Sequence, residues 1–297
     1  MAEICYIVNP AADEGSGESI ARTLRQQLGA NCVKTTQTVE HASELALEAV
    51  DEGFGTIVAV GGDGMIHHVI RGLAPRFPVF LGLLSAGTGN DFIRNFSYPD
   101  WLKIGVTPYH EMLKNNRVRW TDLIRIETPD QILYGCTQFT FGFSGEIVAI
   151  VSLMDERSPG MYLRTGFIHA RKARPIKLAG DFEGDIFDVY VTNTPTIAGG
   201  LRIAPRARVD DGKLETLVIP KRAIPTRYLL LGIARLGLIR SKLSRLLGVA
   251  PGEFEDFVEY ETFEPLHAQI DGEHYRLPAG KIRISVLPRT LGVIAPS

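Results

Sequence analysis

The most chemically suggestive stretch of the chain is Gly61-Gly62-Asp63-Gly64, which follows the apolar run Thr56 to Val60. A β-branched run bounded by glycine is typical of a buried parallel strand. Glycines at its end let a phosphate reach backbone N–H groups, and a helix predicted from Met65 to Leu73 would direct its N-terminal dipole there. Asp63 indicates a contact with Mg²⁺, direct or through water, or with a hydroxyl such as that of ribose. Taken alone, the stretch is explained at least as well by a plain turn.

A second glycine-rich loop follows the next predicted strand. Phe80 to Leu84 leads into Ser85-Ala86-Gly87-Thr88-Gly89-Asn90-Asp91-Phe92. Two parallel strands that end in such loops predict a two-sided phosphate site, with Thr88 and Asn90 as neutral donors and Asp91 as a second carboxylate. Neither loop contains a Walker A lysine or a G-x-G-x-x-G motif, so a nucleotide would bind by another route.

A third candidate is Asp271, which follows the apolar run Ala268-Gln269-Ile270 and precedes Gly272-Glu273. Phosphoryl transfer requires positioning, charge neutralisation and a group that orients or accepts the proton of the acceptor hydroxyl. Asp271 is the candidate for that group. If the strand persists, Glu273 lies on the same side and acts on Asp271 as a like-charged neighbour. The alternative, favoured by spacing alone, is an Asp-Gly hairpin turn.

The two glycine-rich motifs together resemble those of the diacylglycerol kinase catalytic-domain family, which includes bacterial lipid kinases and sphingosine kinases. Other motifs follow in the family's order over most of the chain: Asn9-Pro10, Asp122, Ala204-Pro205 with Asp210-Asp211-Gly212-Lys213-Leu214, and Asp271-Gly272-Glu273. Several motifs in the family's order are far more specific than one. NAD kinases and phosphofructokinases share only the Gly-Gly-Asp-Gly part.

The resemblance implies ATP and Mg²⁺ as cofactors and assigns roles to residues. Catalysis would involve Asp271 and Glu273. Nucleotide contacts would come from Asn9, Thr36, Gly61, Gly62, Asp63, Gly64, Met65, His67, Gly87, Thr88, Asn90, Asp91 and Asp122, of which the three aspartates would hold Mg²⁺–ATP through water. Their plainer alternatives are a turn for Asp63, a helix N-cap for Asp91 and a surface acid for Asp122.

A second, structural Mg²⁺ is also implied by the resemblance. Its ligands would be the Asp211 carboxylate and the backbone oxygens of Arg208 and Lys213. Without the resemblance, this stretch is interpreted as a turn between strands.

The chain departs from the family pattern at two places. Met65, His67 and His68 stand where members usually carry Thr, Asn and Glu, and we interpret the histidines as packing residues or phosphate-side donors. Adjacent helix positions point about 100° apart, so the two histidines are not a metal motif. After Gly142, where many members carry an Asp, this chain has Ser144-Gly145-Glu146.

The elements that must position these residues change character near residue 122. Strands at Ile4 to Val8, Val33 to Thr36 and Thr56 to Val60 alternate with helices at Ser19 to Leu28 and Ala42 to Glu52, which predicts a parallel sheet. Later short runs predict antiparallel strands with one long helix among them. We therefore predict a Rossmann-like, NAD-kinase-like three-layer α/β domain (1–122), an antiparallel β-sandwich substrate domain (123–290) and a tail (291–297) that can return to the first domain. The active site is expected in the interdomain cleft.

Composition restricts the functional class. The 297 residues are 45% hydrophobic and 22% charged, as in ordinary globular proteins, and the formal charge of −2 argues against a nucleic-acid binder. Three widely spaced cysteines and no visible signal peptide favour a reducing cytoplasm.

Two basic stretches lack acidic residues: Arg157 to Lys177, and the segment between Glu215 and Glu253. In the second, one helical face carries Leu229, Ile233, Leu236, Leu243 and Leu247, which indicates a basic amphipathic helix able to lie peripherally on an anionic membrane. Arg240 falls on the apolar side of that helix. The alternative is an ordinary surface helix packed on the second domain.

The sequence thus predicts an ATP-dependent lipid kinase, with diacylglycerol as the favoured acceptor. A sphingoid base, phosphatidylglycerol or another lipid alcohol is the first alternative, and a non-catalytic protein that binds nucleotide or membrane is the second. NAD kinase is disfavoured by the Thr-Gly-Asn-Asp-Phe loop. A homodimer is left open.

Overall fold

The structure, a computed structural model, describes residues 3–77, 79–86, 89–115, 117–154 and 159–296. It divides into two compact units. The first is Met1–Thr121 with Arg289–Ser297, and the second is Asp122–Pro288. The sequence-based prediction places these boundaries at residues 122 and 290.

The first unit alternates strands and helices. In chain order these are β1 (Ile4–Val8), α1 (Ala12–Leu28), β2 (Val33–Thr35), α2 (Ala42–Asp51), β3 (Thr56–Gly61), α3 (Asp63–Leu73), β4 (Phe80–Ser85), α4 (Trp101–Ile104) and α5 (Val106–Asn115). Strand β5 (Arg117–Glu127) continues into the second unit.

The second unit begins with strands and then adds helices between them. Its elements are β6 (Ile132–Gly135), β7 (Gln138–Gly142), α6 (Phe143–Val151), α7 (Pro159–His169), β8 (Ile176–Gly180), β9 (Gly184–Thr192), β10 (Thr196–Ile197), β11 (Leu201–Arg202), β12 (Leu214–Pro220), α8 (Ile224–Arg235), α9 (Lys242–Leu246), β13 (Ala250–Phe254), β14 (Phe257–Thr262), β15 (Leu266–Ile270), β16 (Glu273–Leu277) and β17 (Gly280–Ala295), whose end returns to the first unit.

The first unit contains a parallel sheet in the order β2-β1-β3-β4, extended by the end of β17 beside β4. Every residue of β1 and β3 is buried, as in parallel sheets covered on both faces. One face packs against α1 and α5 in an apolar cluster. The predicted N-terminal parallel sheet is confirmed, and parallel strands bring their carboxyl ends to one edge.

The strand pairs within the second unit are antiparallel. β15 pairs with β16 and β7, β7 with β9, and β9 with β8 and β12, while β14 pairs with β8 and the first part of β17. An apolar core of inward-facing side chains from these strands includes Phe139, Phe141, Val189, Ile270 and Ile282. The predicted antiparallel C-terminal strands are confirmed.

Three sequence-based helix predictions are wrong, and the first concerns the residue at which α1 begins. Helix α1 begins at Ala12 rather than Ser19, because Asn9 accepts hydrogen bonds from Ala11 and Ala12 and turns the chain at once. A Cβ at Gly17 would lie 2.0 Å from the Asn9 carbonyl oxygen, so this glycine permits the close approach of helix and turn.

The second unit also has more helix than one long segment. In α6, the residues Phe143, Ile147 and Val151 recur every four positions and pack into a shared apolar cluster, so tertiary burial selects a helix there. The predicted single amphipathic helix is two helices, α8 and α9. Arg240, which disagrees with the apolar stripe, lies between them; its guanidinium is 2.6 Å from Glu215 and donates to Ile203 and Thr216.

No helix in the described ranges is both long enough and apolar enough to span a bilayer.

Candidate active site

Four sequence-predicted residues of the first unit follow the carboxyl ends of neighbouring parallel strands. Asn9 follows β1, Thr36 follows β2, Asp63 follows β3 and Asp91 follows β4. The backbone N–H of Asn9 donates to Val60, and that of Thr36 donates to Val8. The parallel pairing therefore brings these residues to the same edge of the sheet.

Asp63 lies in the first turn of α3 and holds the second glycine-rich loop. Its Oδ2 accepts the backbone N–H of Asp91 at 3.0 Å, and its Oδ1 accepts that of Phe92 at 3.2 Å. A Cβ at Gly89 would come within 2.7 Å of Oδ2, so glycine is needed for this contact. The carboxylate thus fixes the two loops to each other, a role that sequence analysis did not assign.

The second loop is further fixed by its own residues. Asn90 has a φ of 56°, in the left-handed region that asparagine tolerates well. Asp91 is buried and accepts a hydrogen bond from Arg94 at 3.4 Å, while the Asn95 amide donates to the carbonyls of Asp91 and Phe92. Gly87 and Thr88, predicted as nucleotide contacts, lie outside the described residues.

Thr36 provides the clearest test of whether this edge fits a polar ligand. The residue is buried, and among the described residues its Oγ1 has no hydrogen-bond partner. Buried hydroxyls without a partner are unfavourable and rare in proteins. An unpaired buried hydroxyl at the same sheet edge as the N-terminus of α3 fits a nucleotide, because a helix N-terminus favours phosphate charge.

The residues that depart from the family pattern are packed inside the first unit. Met65 and His67 are each at most 2% exposed. A Cβ at Gly61 would lie 2.7 Å from the Met65 Cβ, so this glycine admits the first turn of α3 onto the strand. Burial, and then its neighbour His67, lower the pKa of His68 to about 4, so His68 is a neutral packing residue at neutral pH. Nucleotide contact by Met65 and His67 stays a prediction.

In the second unit, the Asp271 carboxylate is surrounded by donors from residues 136–138. Oδ1 accepts the N–H of Thr137 at 2.8 Å, its hydroxyl at 2.6 Å and the N–H of Gln138 at 3.1 Å; Oδ2 accepts the N–H of Cys136 at 3.0 Å. Gly135, the residue before these donors, allows the chain to approach β15 closely, because a Cβ there would lie 2.7 Å from the Ile270 side chain. The Asp271 carboxylate is therefore held rigidly in place.

The backbone at Asp271 and Gly272 has φ values of 53° and 96°, which are those of a two-residue hairpin turn between β15 and β16. The strand does not persist from Asp271 to Glu273, so the argument that both lie on one side of a continuous strand is wrong. The catalytic assignment of both residues stays a prediction.

Asp122 holds the Asp-Asp-Gly loop of the same unit. Its Oδ2 accepts the N–H of Gly212 at 2.7 Å, and its own N–H donates to Val209 at 2.6 Å. Asn193, which sequence analysis missed, donates to the carbonyls of Asp122 and Cys136 and so connects this loop to the donors around Asp271. The assignment of Asp122 to the nucleotide stays a prediction.

The predicted ligands of a second Mg²⁺ are in one loop. Asp211 accepts the N–H of Lys213 at 3.2 Å, and Arg208 lies 3.5 Å from Asp210. Across the described ranges, no three His, Cys, Asp or Glu side chains form a group that could hold a metal. A cation here would use one carboxylate and main-chain oxygens, the oxygen set that Mg²⁺ prefers.

Sequence analysis also missed a buried polar network around Asp188 on β9. The N–H and hydroxyl of Ser144 donate to its carboxylate, at 2.7 Å for the hydroxyl. Burial raises the pKa of Asp188 to about 7 against the lowering effect of the Ser144 and Tyr190 hydrogen bonds. Ser144 stands in the stretch that departs from the family pattern, which was the one available signal.

The network continues toward the turn at Asp271. Ser144 contacts the Thr140 hydroxyl at 2.7 Å, the Gln269 amide donates to that hydroxyl at 2.9 Å, and the Gln269 oxygen accepts the Gly272 N–H at 2.7 Å. These bonds connect the Asp271–Gly272 turn to Thr140 of β7, the strand that residues 136–138 lead into.

Comparison with known proteins identifies the family. The profile of the diacylglycerol kinase catalytic domain matches residues 3–126. A Pseudomonas aeruginosa protein named "Probable lipid kinase YegS-like" is 30% identical, over 89% of this chain and 84% of its own. A Staphylococcus aureus protein named "Diacylglycerol kinase" is 25% identical, over 88% and 81%.

Solved structures share the fold. The crystal structure of a diacylglycerol kinase from Bacillus anthracis has a TM-score of 0.66 at 18% identity and covers 99% of this chain and 97% of its own. Yeast NADH kinase has a TM-score of 0.54 at 10% identity, over 100% and 84%. The ordered motifs, the two folded units and these relatives lead to one conclusion: this chain belongs to the diacylglycerol kinase catalytic-domain family of lipid kinases.

Proposed function

We propose that the chain transfers the γ-phosphoryl group of ATP to the hydroxyl of a diacylglycerol. Nucleotide binding is supported by the sheet edge at which Asn9, Thr36, Asp63 and Asp91 lie. There, a buried hydroxyl without a partner among the described residues and a helix N-terminus suit a phosphate-bearing ligand. The relatives' names support a lipid acceptor.

In this proposal, Gly61, Gly62 and Gly64 present backbone N–H groups to the phosphates, and Thr36 binds the nucleotide through its hydroxyl. Asp63 and Asp91 hold Mg²⁺ through water, and the cation supplies charge neutralisation on the phosphates. Asp63 acts mainly by fixing the second loop, because its carboxylate binds two N–H groups of that loop.

Asp271 orients the acceptor hydroxyl. The hydroxyl oxygen forms a bond to the γ-phosphorus, the bond from that phosphorus to the bridging oxygen of ADP breaks, and the hydroxyl proton passes to the carboxylate or to water. Since little proton transfer is required before such a step, a rigidly held anion is sufficient. Glu273 is retained as its neighbour across the turn.

The enzyme would meet its substrate at an anionic membrane surface, as a cytoplasmic protein that binds peripherally. Its remaining partners are ATP and the lipid. A homodimer is compatible with this proposal but is not required by it. Mg²⁺ in the Arg208–Lys213 loop would stabilise that loop.

The test is transfer of radiolabelled phosphate from ATP with Mg²⁺ to lipids in mixed micelles. The panel contains a diacylglycerol, a sphingoid base and phosphatidylglycerol. Labelled diacylglycerol should form with the wild type, while Asp63→Ala and Asp271→Asn should lose at least about 100-fold in rate. The exposed aspartates Asp51 and Asp185 provide matched Ala controls.

Two results would count against this function. Label in another lipid alone would replace the acceptor, and bound ATP without labelling of any lipid would favour the non-catalytic alternative. Melting temperatures of the variants separate a lost reaction from a lost fold.

A further inference from the structure

Helix α8 presents an apolar stripe to solvent instead of to the core. Its inward side is formed by Arg227, Leu230 and Ile233, which are all buried. On the outward side, Leu229 is 47% exposed, and Leu236, seven residues later, is 73% exposed. Gly232 lies between them with open space beside it. Surface helices normally carry polar residues at such positions, so this face is unusual for a solvated helix.

The apolar exposure continues into the neighbouring helices. Leu238, Leu243 and Leu246 are at least half exposed, with Leu246 at 85%. On α7, Phe167 and Ile168 are exposed, and Phe167 stacks on Tyr228 of α8 with the ring centroids 6.1 Å apart. We call these five leucines (Leu229, Leu236, Leu238, Leu243 and Leu246) with Phe167 and Ile168 the outer helical face.

Arg227 holds this face together. Its guanidinium donates to the carbonyls of Ala170 and Ala173, both at 2.9 Å, and lies over the Phe187 ring. It therefore joins the start of α8 to the segment after α7. Arg222 similarly donates to the Leu247 carbonyl, which ties α9 to the segment before α8.

The charges beside the outer helical face are positive. No acidic residue occurs between Glu215 and Glu253 or from 159 to 177. Arginines 222, 227 and 240 are used in internal hydrogen bonds. The exposed side chains of Arg164, Arg171, Lys172, Lys242 and Arg245 form no ion pair within the described part of the chain.

The positive charges favour an anionic bilayer over a second copy of the chain as the binding partner of the outer helical face. A second copy of the chain, paired by a two-fold axis, would place the same basic patch against itself, and like charges in an interface are costly. An anionic bilayer offers both an apolar interior and negative headgroups. Exposed leucines and phenylalanine beside basic side chains are the composition of interfacial helices.

We propose that the outer helical face docks on an anionic lipid bilayer, with Leu229, Leu236, Leu243 and Leu246 entering the acyl boundary and Lys242, Arg245 and Arg164 contacting the headgroups. This deepens the proposed function by naming the surface through which the kinase reaches a membrane. It rests on that function only for the reason why docking is useful.

The experiment measures sedimentation of the full chain with phosphatidylcholine vesicles in which roughly one lipid in three is the anionic lipid phosphatidylglycerol. The variant is Leu236→Ser with Leu246→Ser. Its matched control is Ile104→Ser with Ile132→Ser, two exposed isoleucines outside the face. A second pair, Lys242→Glu with Arg245→Glu, tests charge. Its matched control is Lys103→Glu with Lys114→Glu, two exposed lysines of the first unit.

We expect each variant of the face to bind vesicles about tenfold or more weakly, the controls to match the wild type, and high salt to weaken wild-type binding. Equal binding by the leucine variant and its control would overturn the proposal. So would a solution dimer that the leucine variant dissociates while vesicle binding is unchanged, because the face would then be a contact between copies.

A kinase measurement distinguishes failure of docking from failure of the proposed function. With a short-chain diacylglycerol below its micellar concentration, the leucine variant should transfer phosphate at the wild-type rate, and with the same lipid in vesicles it should be slower. A slower rate on the dissolved lipid too would contradict a docking role. If no lipid is labelled but vesicle binding still depends on the leucines, docking is supported and the proposed function fails.

Discussion

Asp63 in the first unit and Asp271 in the second both fix another segment of the chain through their carboxylates, but they differ in burial. Each carboxylate accepts backbone N–H groups from another segment. For Asp63 that segment lies 28 or 29 residues later, in the next strand-to-helix loop, whereas for Asp271 it lies 133 to 135 residues earlier. Asp63 is half-buried, and Asp271 is 4% exposed.

The two predicted functional carboxylates therefore contribute differently to the stability of their units. Removing Asp63 leaves two backbone N–H groups, those of the buried residues Asp91 and Phe92, without their acceptor. Removing Asp271 leaves the N–H groups of Cys136, Thr137 and Gln138 buried without their acceptor. Each unsatisfied buried donor costs free energy, and Asp271 accepts from three N–H groups and one hydroxyl whereas Asp63 accepts from two N–H groups.

The largest effect is therefore expected at Asp271. Asp271→Ala should lower the free energy of unfolding by about 3 to 5 kcal/mol, because several buried donors lose one charged acceptor. Urea denaturation of this variant and of the exposed control Asp185→Ala measures the change. A loss no greater than that of the control would show that residues 136–138 do not depend on this carboxylate. Asp271→Asn keeps one accepting oxygen but turns its amide N–H groups toward a buried N–H donor, so its stability is measured beside its activity.

Asp188 is a titratable group in the core of the second unit. Burial raises its pKa to about 7, far above its value of 3.8 when exposed in the unfolded chain. The folded state then binds the proton more tightly than the unfolded state. The stabilising contribution of protonated Asp188 is fully present below about pH 4. It is lost as the pH rises to about 7, which lowers the free energy of unfolding by at most about 4 kcal/mol.

Asp188→Asn should flatten that part of the pH profile. The groups that act on Asp188 are Ser144 and Tyr190, which favour its ionisation by hydrogen bonding, and Glu146, which opposes it. Denaturation midpoints from pH 4 to pH 8 give the comparison, with Asp185→Asn as an exposed control. An unchanged slope in Asp188→Asn would show that this residue does not titrate in the window.

Asp63→Ala should destabilise the first unit less than Asp271→Ala destabilises the second, by about 1 to 2 kcal/mol. Its ATP affinity should nevertheless fall about tenfold or more, since the loop carrying Asn90 and Asp91 loses its attachment to α3. Calorimetric titration with Mg²⁺–ATP measures this, beside the surface control Asp51→Ala. An ATP affinity of Asp63→Ala equal to that of the wild type would contradict the role of Asp63 in organising the nucleotide edge.

Thr36→Val gives the smallest and most specific effect. The buried Thr36 hydroxyl has no partner among described residues, so a methyl in its place should raise the free energy of unfolding by about 0.5 to 1 kcal/mol. Without that hydroxyl, ATP should bind more weakly. A variant that is less stable, or that binds ATP as the wild type does, would argue that another group satisfies this hydroxyl.

The two units also differ in how far sequence reasoning reached. In the first, strand, loop and helix follow each other within about 30 residues, and the positions of Asn9, Thr36, Asp63 and Asp91 at strand ends could be predicted from local pattern. In the second, the Asp-Gly turn was recognisable, but the donors around Asp271 were not. They come from β-strand pairing across more than 130 residues, for which a local pattern carries no signal.

Helix α8 shows a related limit. Its leucines have the same spacing whether they face the core or solvent, so periodicity alone assigned Leu229 and Ile233 to one apolar face. The structure buries Ile233 and exposes Leu229. Arg240 was noticed as an exception from the sequence, and its ion pair with Glu215 supplies the reason.

Short-range sequence patterns were sufficient to predict the family, the parallel sheet with its two glycine-rich loops, and the antiparallel strands that follow. The donors that hold Asp63, Asp122 and Asp271 become visible only in the folded chain, as does the buried polar region that contains Asp188, Asn193 and Ser144. The physical reason is that burial and hydrogen bonding depend on what packs nearby in space. Strand pairing brings together residues whose separation along the chain leaves no local trace.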